Sequence, residues 1–533
     1  MDNTYDYIVI GSGFGGSVAS LRLAEKGYSV LTIEQGQRFE SGDYAKTNWQ
    51  LRKYLWWPSM KMFGIQKLSF FKSASILSGV GVGGGSLVYA NTLFYPKTHF
   101  FQNGPWAKLN NWEKELKPFY DEAGFMMGRV KLDRFNYEDE ALKKVAIKMK
   151  RESSFENVYV GVNLSGSEKE EEDPYFSGLG PGRKGCTDCA ACMVGCRENA
   201  KNTLDKNYLW FAEKFGAEII AETKVEKIEY DGSEYTVFTK GIKRKRLKKS
   251  YKSKNLIVSG GALGTLELLL KQKYKYQTLS RLSDKLGENL LTNSETLCAV
   301  SGANQKMNNG VAISSVFHPD DNTHVEIVKY PDGSNALKWF FTLAAGGAKN
   351  SFSRILKVLG NTISHPGQFL KTIFNFKWST NLVIFLVMQT IQNSMKMQWK
   401  NTFLGGKMTI KNKGNKKAPA FIKIGQEVMM NYAKEVNGIP QNIILEVMFN
   451  RPTTAHILGG CLMGSSAEDS VVNENLEVHN YKGMYILDGS VIQTNPGVNP
   501  SYSILAMAEY AMSKIPQKNQ EVKSLKERIN EIS

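Results

Sequence analysis

The chain has 533 residues, of which 42% are hydrophobic and 22% are charged, and its formal net charge is +17. This length exceeds what one compact core supports, so we expect two or more domains. The composition is globular and excludes a mainly disordered or fibrous protein. Six cysteines are too few for a disulfide scaffold, so stability must come from buried apolar cores.

The first 40 residues have the pattern of a strand, a glycine turn, a helix and a second strand. Short apolar runs typical of buried strands cover residues 7–10 and 30–33, and a helical pattern lies between them. This order predicts the βαβ unit that opens a Rossmann-type α/β domain.

The glycine turn carries a dinucleotide-binding motif. Gly11, Gly13 and Gly16 match G-x-G-x-x-G, in which glycines permit a tight turn, a close approach to pyrophosphate and tight helix–strand packing. The helix N-terminus offers free N–H groups to the phosphates. Glu34 ends the second strand, where a carboxylate can accept a hydrogen bond from a ribose hydroxyl. The motif alone does not separate NAD from FAD.

A second glycine-rich segment follows at residues 79–91. Its first seven residues include five glycines, which leave the backbone almost without side-chain cover and suited to contact with a large planar ligand. A third strand–glycine–helix pattern covers residues 256–270. The glycine-rich segment at 79–91 favours a flavin over a nicotinamide cofactor.

Four cysteines have the spacing C-x2-C-x2-C-x3-C, and they are Cys186, Cys189, Cys192 and Cys196. The spacing fits bacterial ferredoxins, except that Arg197 stands where proline is usual. Four thiolates so close in sequence also suit zinc. An iron–sulfur cluster, a zinc ion and four free thiols packing a loop therefore remain alternatives. Cys298 and Cys461 are expected to be buried apolar residues.

Positive charge is concentrated in residues 333–426, which contain 14 Lys and Arg but no Asp or Glu. Apolar residues are interleaved with these cations, a composition that can lie on an anionic bilayer. A solvated basic face over an ordinary core is an equal alternative. A further basic run at 243–249 is interpreted as a solvated hairpin tip, and we expect no nucleic-acid partner.

The ends of the chain and its apolar runs bear on localisation. The N-terminal apolar run is short and has no basic residues before it, unlike a secretory signal. The longest later run, residues 382–388, is far shorter than a bilayer span. We expect a cytoplasmic protein without a transmembrane helix, with peripheral membrane contact through the basic stretch as an open alternative.

Six ordered blocks resemble the glucose–methanol–choline (GMC) flavin oxidoreductases, and within them the cholesterol oxidase-like branch. The blocks are GSGFGGSVAS at 11–20, GVGGGSLVYANTL at 81–93, CTDCAACMVGCRENAKNTLDKNYL at 186–209, VSGGALGTLELLL at 258–270, HILGGCLMG at 456–464 and LDGSVIQTNPGVNPSYSILAMAE at 487–509. The resemblance implies a discontinuous FAD-binding domain, a second α+β substrate domain built on an antiparallel sheet, and a C-terminal tail expected to fray. The expected bounds are 1–297 with 452–515, then 298–451, and 516–533.

The resemblance also implies the catalytic residues. In this family a histidine of an H-x-x-G-G segment and an asparagine of a later N-P segment face the flavin, and the matching positions are His456 and Asn499. An imidazole can take the hydroxyl proton of an alcohol, and an amide can hold its oxygen without adding charge. Glu326 falls where sterol oxidases keep a carboxylate that moves a proton from C4 to C6. A strand glutamate facing solvent is the alternative for Glu326.

The cofactor implied by the resemblance is FAD, which carries the redox step. The residues expected to bind it are Gly11, Gly13, Phe14, Gly15, Gly16, Glu34, Gly81, Gly83, Gly84, Gly85, Ser86, Asn91, Val225, Asp488, Gly489 and Asn499. Some relatives attach FAD through a histidine. Residues 79–92 contain no histidine, so we expect noncovalent FAD.

The function expected from the resemblance is oxidation of a secondary alcohol, such as a 3β-hydroxysteroid, with Δ5 to Δ4 isomerisation as a further possibility. The electron acceptor is oxygen or another compound. A first alternative is a GMC dehydrogenase that acts on a sugar or polyol and reduces an acceptor other than oxygen. A second is a noncatalytic flavin or metal electron carrier, which would need neither His456 nor Asn499.

Overall fold

The computed structural model describes residues 4–243, 247–348, 350–403, 405–413 and 417–532. Within them the α-helices are α1 (Phe14–Ala24), α2 (Leu51–Tyr54), α3 (His99–Gln102), α4 (Trp112–Met126), α5 (Tyr137–Lys148), α6 (Tyr208–Lys214), α7 (Gly261–Lys271), α8 (Ser351–Ser364), α9 (Pro366–Ile373), α10 (Lys423–Glu435), α11 (Ile444–Phe449), α12 (Ser501–Ser513) and α13 (Leu525–Ile532).

The strands in the same residues are short and numerous. They are β1 (Thr4–Ile10), β2 (Val30–Ile33), β3 (Trp56–Trp57), β4 (Met62–Phe63), β5 (Gln66–Phe70), β6 (Ser75–Gly79), β7 (Arg129–Lys131), β8 (Glu156–Asn157), β9 (Tyr159–Gly161), β10 (Glu218–Ile220), β11 (Thr223–Tyr230), β12 (Tyr235–Gly241), β13 (Lys248–Val258), β14 (Leu290–Leu291), β15 (Thr296–Ser301), β16 (Ser315–Asp320), β17 (Thr323–Val328), β18 (Phe341–Leu343), β19 (Val383–Gln389), β20 (Met395–Lys400), β21 (Lys407–Asn412), β22 (Ile439–Ile443), β23 (Thr453–Thr454), β24 (Leu458–Gly459) and β25 (Met484–Ile486).

A mixed sheet forms the first layer of the fold: five strands are parallel, and β12 and β11 extend it beyond β13 in antiparallel pairing. Strands β10, β2, β1, β13 and β25 pair in that order, and Tyr7 lies opposite Val30 on one side and Asn255 on the other. Residues 7–10 are buried, as expected for a central parallel strand covered on both faces. Helix α1 follows β1 directly, so the predicted Rossmann-type opening is confirmed.

An antiparallel sheet forms the second unit. Its order is β18, β22, β15, β19, β17, β16, β8, and neighbouring strands in it run antiparallel. Helices α5 and α10 share an apolar core with this sheet, which includes Val145, Phe385 and Val428. The predicted second domain with an antiparallel sheet is therefore confirmed as a fold class.

The two sheets exchange chain segments in a way that the predicted domain bounds do not describe. Strand β8 and helix α5 precede residue 298 but pack with the antiparallel sheet. The hairpin β20–β21 lies within 298–451, yet β20 pairs with β14, which in turn pairs with β24. The bounds at 297 and 451 stay a prediction.

The C-terminal segment differs from the frayed tail that we expected. Helix α13 buries Leu525 and Ile529, and the backbone N–H groups of Lys518 and Asn519 donate to the carbonyl of Lys26. Apolar residues at one helical spacing give this short segment a face to bury. The tail is therefore packed beside the end of α1.

Two further predictions concern the basic segments and membrane spans. The predicted hairpin tip at 243–249 connects β12 with β13, and its residues 244–246 lie outside the described residues. Of the helices that the structure describes, none combines the length and hydrophobicity that a bilayer crossing requires.

Candidate active site

A cavity of about 450 Å³ lies between the two sheets. Its walls include the glycine turn after β1, the segment after β6, the start of α7 and the residues around 456 and 488–501. The antiparallel sheet contributes apolar side chains to the same cavity, which are Leu297, Val328, Ile384 and Leu386, and Ile313, just before β16, adds another. The cavity thus joins the predicted dinucleotide site to the predicted catalytic residues.

The glycine turn has no room for side chains. Gly11 has a φ of +97°, a backbone conformation that favours glycine. A Cβ on Gly15 would lie 1.6 Å from the carbonyl oxygen of Leu487, and one on Gly16 would lie 1.9 Å from that of Gly11. A Cβ on Gly84 would lie 2.6 Å from Cα of Gly13, so the two glycine segments touch. Such bare backbone is what a pyrophosphate needs for close approach.

Two buried carboxyls border the same cavity. Glu34 accepts hydrogen bonds from the backbone N–H of Ser12 at 3.1 Å and of Gly36 at 2.8 Å. Asp488 accepts one from the backbone N–H of Ser490 at 2.8 Å. Burial raises the pKa of both carboxyls above the ordinary range in spite of these bonds. Both side chains are held rigidly where they can accept hydrogen bonds from ligand hydroxyls.

Most of the residues predicted to bind FAD border the cavity. They are Gly11, Gly13, Phe14, Gly15, Glu34, Gly84, Gly85, Val225, Asp488, Gly489 and Asn499. The other five are not among the residues that line it, and they are Gly16, Gly81, Gly83, Ser86 and Asn91. The glycine cradle, the ribose-side carboxylate and the length of the cavity wall together fit a flavin dinucleotide.

The side chain of Asn91 contacts the cysteine segment in the structure. Its Nδ2 donates to Sγ of Cys192 at 3.0 Å, and the side chain is fully buried. Ser86 Oγ donates to the carbonyl of Gly83 at 2.7 Å, within the same glycine segment. These two side chains form hydrogen bonds behind the residues that line the cavity. A direct cofactor contact for them stays a prediction.

His456 is paired with a carboxylate that the sequence did not reveal. Its Nδ1 lies 2.7 Å from Oε2 of Glu295, and the backbone N–H of Ala455 donates to Oε1 of the same carboxylate at 2.8 Å. Burial opposes the charged imidazole, but Glu295 outweighs burial and raises the pKa of His456. Burial likewise opposes the charged form of Glu295, and His456 lowers the pKa of that carboxyl. Because Nδ1 is paired with Glu295, Nε2 is the ring nitrogen available to a ligand in the cavity.

Asn499 and Glu326 meet on the other side of the site. Nδ2 of Asn499 lies 3.5 Å from Oε2 of Glu326, and Oδ1 of Asn499 is buried without a protein partner. Such an unpaired buried acceptor indicates a ligand contact. Burial raises the pKa of Glu326 to about 8. The expected alternative of a solvent-facing glutamate is wrong, because Glu326 is fully buried.

His324 completes this group. Its Nε2 lies 2.8 Å from Oε1 of Glu326, and it is buried on β17 two residues away. Burial lowers the pKa of His324 to about 3, so the imidazole is neutral. Sequence reasoning missed both His324 and Glu295. A histidine two positions before the glutamate on one strand was the available signal for His324, since such residues face the same side.

The four cysteines of the predicted metal segment are free thiols. Cys192 is buried, Cys186 and Cys196 are partly buried, and Cys189 is exposed. In the part of the chain that the structure describes, no three His, Cys, Asp or Glu side chains are grouped so as to hold a single metal ion. A tetrahedral zinc site therefore finds no support.

Comparison with known proteins agrees with this geometry. Two family models described as GMC oxidoreductase match residues 5–293 and 408–508. A cholesterol oxidase of Acinetobacter baumannii is 41% identical over 97% of this chain and 95% of its own length. A cholesterol oxidase of Mycobacterium tuberculosis (strain CDC 1551 / Oshkosh) is 39% identical over 98% and 92%. The crystal structure of pyridoxine 4-oxidase from Mesorbium loti aligns with a TM-score of 0.63 at 13% identity and covers 96% of this chain and 99% of its own.

Proposed function

Because the chain belongs to the GMC oxidoreductase family, we propose that it oxidises the hydroxyl group of a 3β-hydroxysteroid to a ketone. The chain is an FAD-dependent alcohol oxidoreductase. The sterol as substrate is the part that we propose. Two relatives that carry the name cholesterol oxidase, each about 40% identical over nearly the whole chain, support it.

One observation carries the proposal. His456 with its carboxylate partner Glu295, and Asn499 with an unpaired amide oxygen, border one cavity, and part of its wall consists of apolar side chains such as Leu297, Ile384 and Leu386. An apolar wall suits a fused-ring hydrocarbon, whereas a sugar would leave many hydroxyls unpaired there. The pair of polar groups suits a single hydroxyl. A carrier of electrons alone would need neither side chain.

The residues divide the chemistry of alcohol oxidation between them. FAD, when bound, accepts the hydride from the carbinol carbon. Nε2 of His456 takes the hydroxyl proton, and the Glu295 carboxylate stabilises the imidazolium that forms. The amide of Asn499 holds the alcohol oxygen without adding charge. The apolar walls exclude water from the reacting atoms.

We propose that Glu326 moves a proton from C4 to C6 of the steroid ketone. The carboxyl is fully buried, its Oε1 lies 2.8 Å from Nε2 of a neutral His324, and its Oε2 accepts from Nδ2 of Asn499. A pKa of about 8 lets this group both accept and return a proton near neutral pH. This step deepens the proposed sterol specificity, because a saturated alcohol offers no such proton.

We also propose that the enzyme reaches its substrate at an anionic membrane surface. On α8, Phe352, Leu356, Leu359 and Ile363 form one stripe at helical spacing, and they are 69%, 51%, 53% and 80% exposed. Phe374 and Phe376 continue the apolar surface after α9. Lysines accompany this surface and residues 333–426 contain no carboxylate side chain, a charge pattern complementary to anionic headgroups.

The experiment that tests the function is anaerobic reduction of the bound flavin. The holoenzyme is mixed with 3β-hydroxysteroids, polyols and long-chain aliphatic alcohols, and bleaching of the flavin absorbance is followed in a stopped-flow instrument. We expect fast bleaching with 3β-hydroxysteroids alone. Faster bleaching by a polyol or a sugar would overturn the sterol proposal while leaving the alcohol oxidoreductase in place.

A further inference from the structure

The four-cysteine loop encloses a small cavity of its own. Cys186, Cys189, Cys192 and Cys196 all border it, together with Lys201 and Gly310. The loop is fixed by backbone hydrogen bonds, since the N–H of Ala190 donates to the carbonyl of Gly310 at 2.9 Å and the N–H of Gly310 donates to that of Asp188 at 2.9 Å. Asp188 and Ala190 have positive φ angles of 56° and 55°. The loop thus adopts an unfavourable backbone conformation that brings four thiols to one space.

Polar groups are aimed at the sulfur atoms from outside that space. Nδ2 of Asn91 lies 3.0 Å from Sγ of Cys192, and the backbone N–H of Ala312 lies 3.4 Å from the same sulfur. The backbone N–H of Lys201 lies 3.4 Å from Sγ of Cys196. N–H donors around cysteine sulfur stabilise thiolate ligands and tune the cluster that they bind. The alternative, in which four free thiols only pack the loop, does not explain why three N–H donors contact these sulfur atoms.

Two buried cations lie near the cavity, and the carboxylate of Glu198 also borders it. Lys201 is fully buried, and its Nζ donates to the carbonyls of Leu87, Tyr89 and Cys192. Arg183 is 1% exposed and donates to amide and carbonyl oxygens of residues 199–202. In the described residues neither cation forms an ion pair with a carboxylate. Nearby cations favour the thiolate form of cysteine, which is the form that binds metal.

We propose that Cys186, Cys189, Cys192 and Cys196 bind an iron–sulfur cluster. Four thiolates give the assembled cluster a net negative charge, which has a favourable electrostatic interaction with Lys201 and Arg183. A single zinc ion would need the four sulfurs to converge on one point, and the described residues show no such group. A cluster spreads its ligands around several irons, which matches thiols arranged around a cavity.

The cluster site adjoins the large cavity of the active site. Met193, between Cys192 and Cys196, lines that cavity, as does Tyr89, whose carbonyl accepts from Lys201. If the proposed alcohol oxidation holds, the cluster accepts the electrons that this oxidation releases. Oxidation of one alcohol to a ketone yields two electrons and two protons. The electrons leave singly through the cluster to a one-electron acceptor protein, and both protons return to solvent.

The first test measures composition and spectra, independent of activity. Holoenzyme purified without oxygen is analysed for iron, acid-labile sulfide and zinc, and its reduced form is examined by electron paramagnetic resonance. We expect iron and sulfide together, with a cluster signal on reduction. Zinc alone, or no sulfide after anaerobic reconstitution with ferrous iron and sulfide, would overturn the proposal, whatever the outcome with sterols.

Variants separate the cluster from the fold and from the active site. Cys189→Ser combined with Cys196→Ser removes two ligands, and Cys298→Ser, in the antiparallel-sheet core, is the matched control. We expect loss of iron, sulfide and the resonance signal in the double variant but not in the control, with bound FAD retained in both.

In the double variant, anaerobic bleaching of the flavin by sterol should persist, while turnover with ferricyanide as a one-electron acceptor is lost. Unchanged ferricyanide turnover would contradict the relay.

Discussion

The hydrogen bond between His456 and Glu295 determines how the active site handles its proton. The carboxylate holds Nδ1 at 2.7 Å, so the ring is fixed and Nε2 is the nitrogen that reaches a substrate. Glu295 itself is held by the backbone N–H of Ala455. The base is therefore positioned by a buried carboxylate before any substrate enters.

Glu295→Gln should keep the fold and weaken the base. Burial opposes the imidazolium, and Glu295 is what raises the pKa of His456, so its removal lowers that pKa. Because the neutral imidazole is the base, the acid limb of kcat/KM should move to lower pH. We expect kcat to fall by up to the roughly 10²–10⁴-fold that a positioned base contributes. An unmoved acid limb, measured beside Glu288→Gln as the control, would show that Glu295 does not act through His456.

Glu326→Gln should separate two reactions. Bleaching by a 3β-hydroxysteroid should continue, but the product should be the Δ5 ketone instead of the Δ4 ketone. Product analysis by ultraviolet absorbance and chromatography measures this ratio. Continued formation of the Δ4 ketone by the variant would remove Glu326 from the proposed isomerisation.

The isomerisation should also depend on pH in a defined direction. Burial raises the pKa of Glu326 to about 8, so the carboxylate that abstracts the C4 proton becomes populated as pH rises through that value. We expect isomerisation to accelerate from pH 6 to about 9 relative to oxidation. A rate that falls over this range would require another base.

At this scale the sequence predicted His456 and Glu326 but not their partners Glu295 and His324. His456 and Asn499 were implied by short matching segments and line one cavity, whereas Glu326 contacts Asn499 and is not among the residues that line it. Glu295 lies 161 residues from His456, and no periodicity or spacing connects residues so far apart. The contact between Nδ2 of Asn91 and Sγ of Cys192, which lie 101 residues apart, was likewise not predicted.

Among the elements, the turn between β1 and α1 depends most on the absence of side chains. A Cβ on Gly16 would lie 1.9 Å from the carbonyl oxygen of Gly11, and backbone atoms cannot move aside cheaply. In contrast, a Cβ on Gly360 in α8 would meet nothing within 4 Å. The two helical glycines therefore form a matched pair for substitution.

Gly16→Ala should lower both thermal stability and FAD content. Gly360→Ala should be neutral or raise stability by about 0.5–1 kcal/mol, because alanine is the better helix former. Thermal unfolding and the ratio of flavin to protein absorbance measure both effects. Full FAD occupancy in Gly16→Ala, with an unchanged melting temperature, would show that the turn can relax.

The elements with strong local signals were predictable, and those placed by distant pairing were not. The apolar run at 7–10 and the glycines that follow it are enough to predict β1 and its turn. Strand β8 has only two residues and joins a sheet whose other strands begin at Ser315 or later, apart from β15. Short strands of this kind are specified by their partners instead of by their own sequence.

At the scale of the whole molecule, we expect the exposed apolar face of α8 and α9 to bind the enzyme to anionic membranes. Replacing Phe352, Leu356 and Ile363 by serine should abolish sedimentation with vesicles that contain phosphatidylglycerol at low salt. Bleaching by detergent-dispersed sterol should be unchanged. Serine at Tyr137 and Ile147, exposed on α5, is the control.

Two results would contradict the membrane proposal. One is the absence of vesicle binding by the unaltered enzyme at low salt. The other is a dimer that dissociates when the same three residues are replaced, because the apolar stripe would then be covered by a second copy of the chain.

The pairing of β25 with β13 has a consequence for biosynthesis. The sheet begun by β1 gains β25 only when residues 484–486 have left the ribosome, and α12, whose Glu509 is bonded to Arg22 of α1, follows later still. A nascent chain must therefore hold its opening βαβ unit, incomplete and with exposed apolar surface, through most of translation. Cofactor loading belongs after that point, and chain release, or a chaperone that covers the waiting half, becomes the limiting event in making active enzyme.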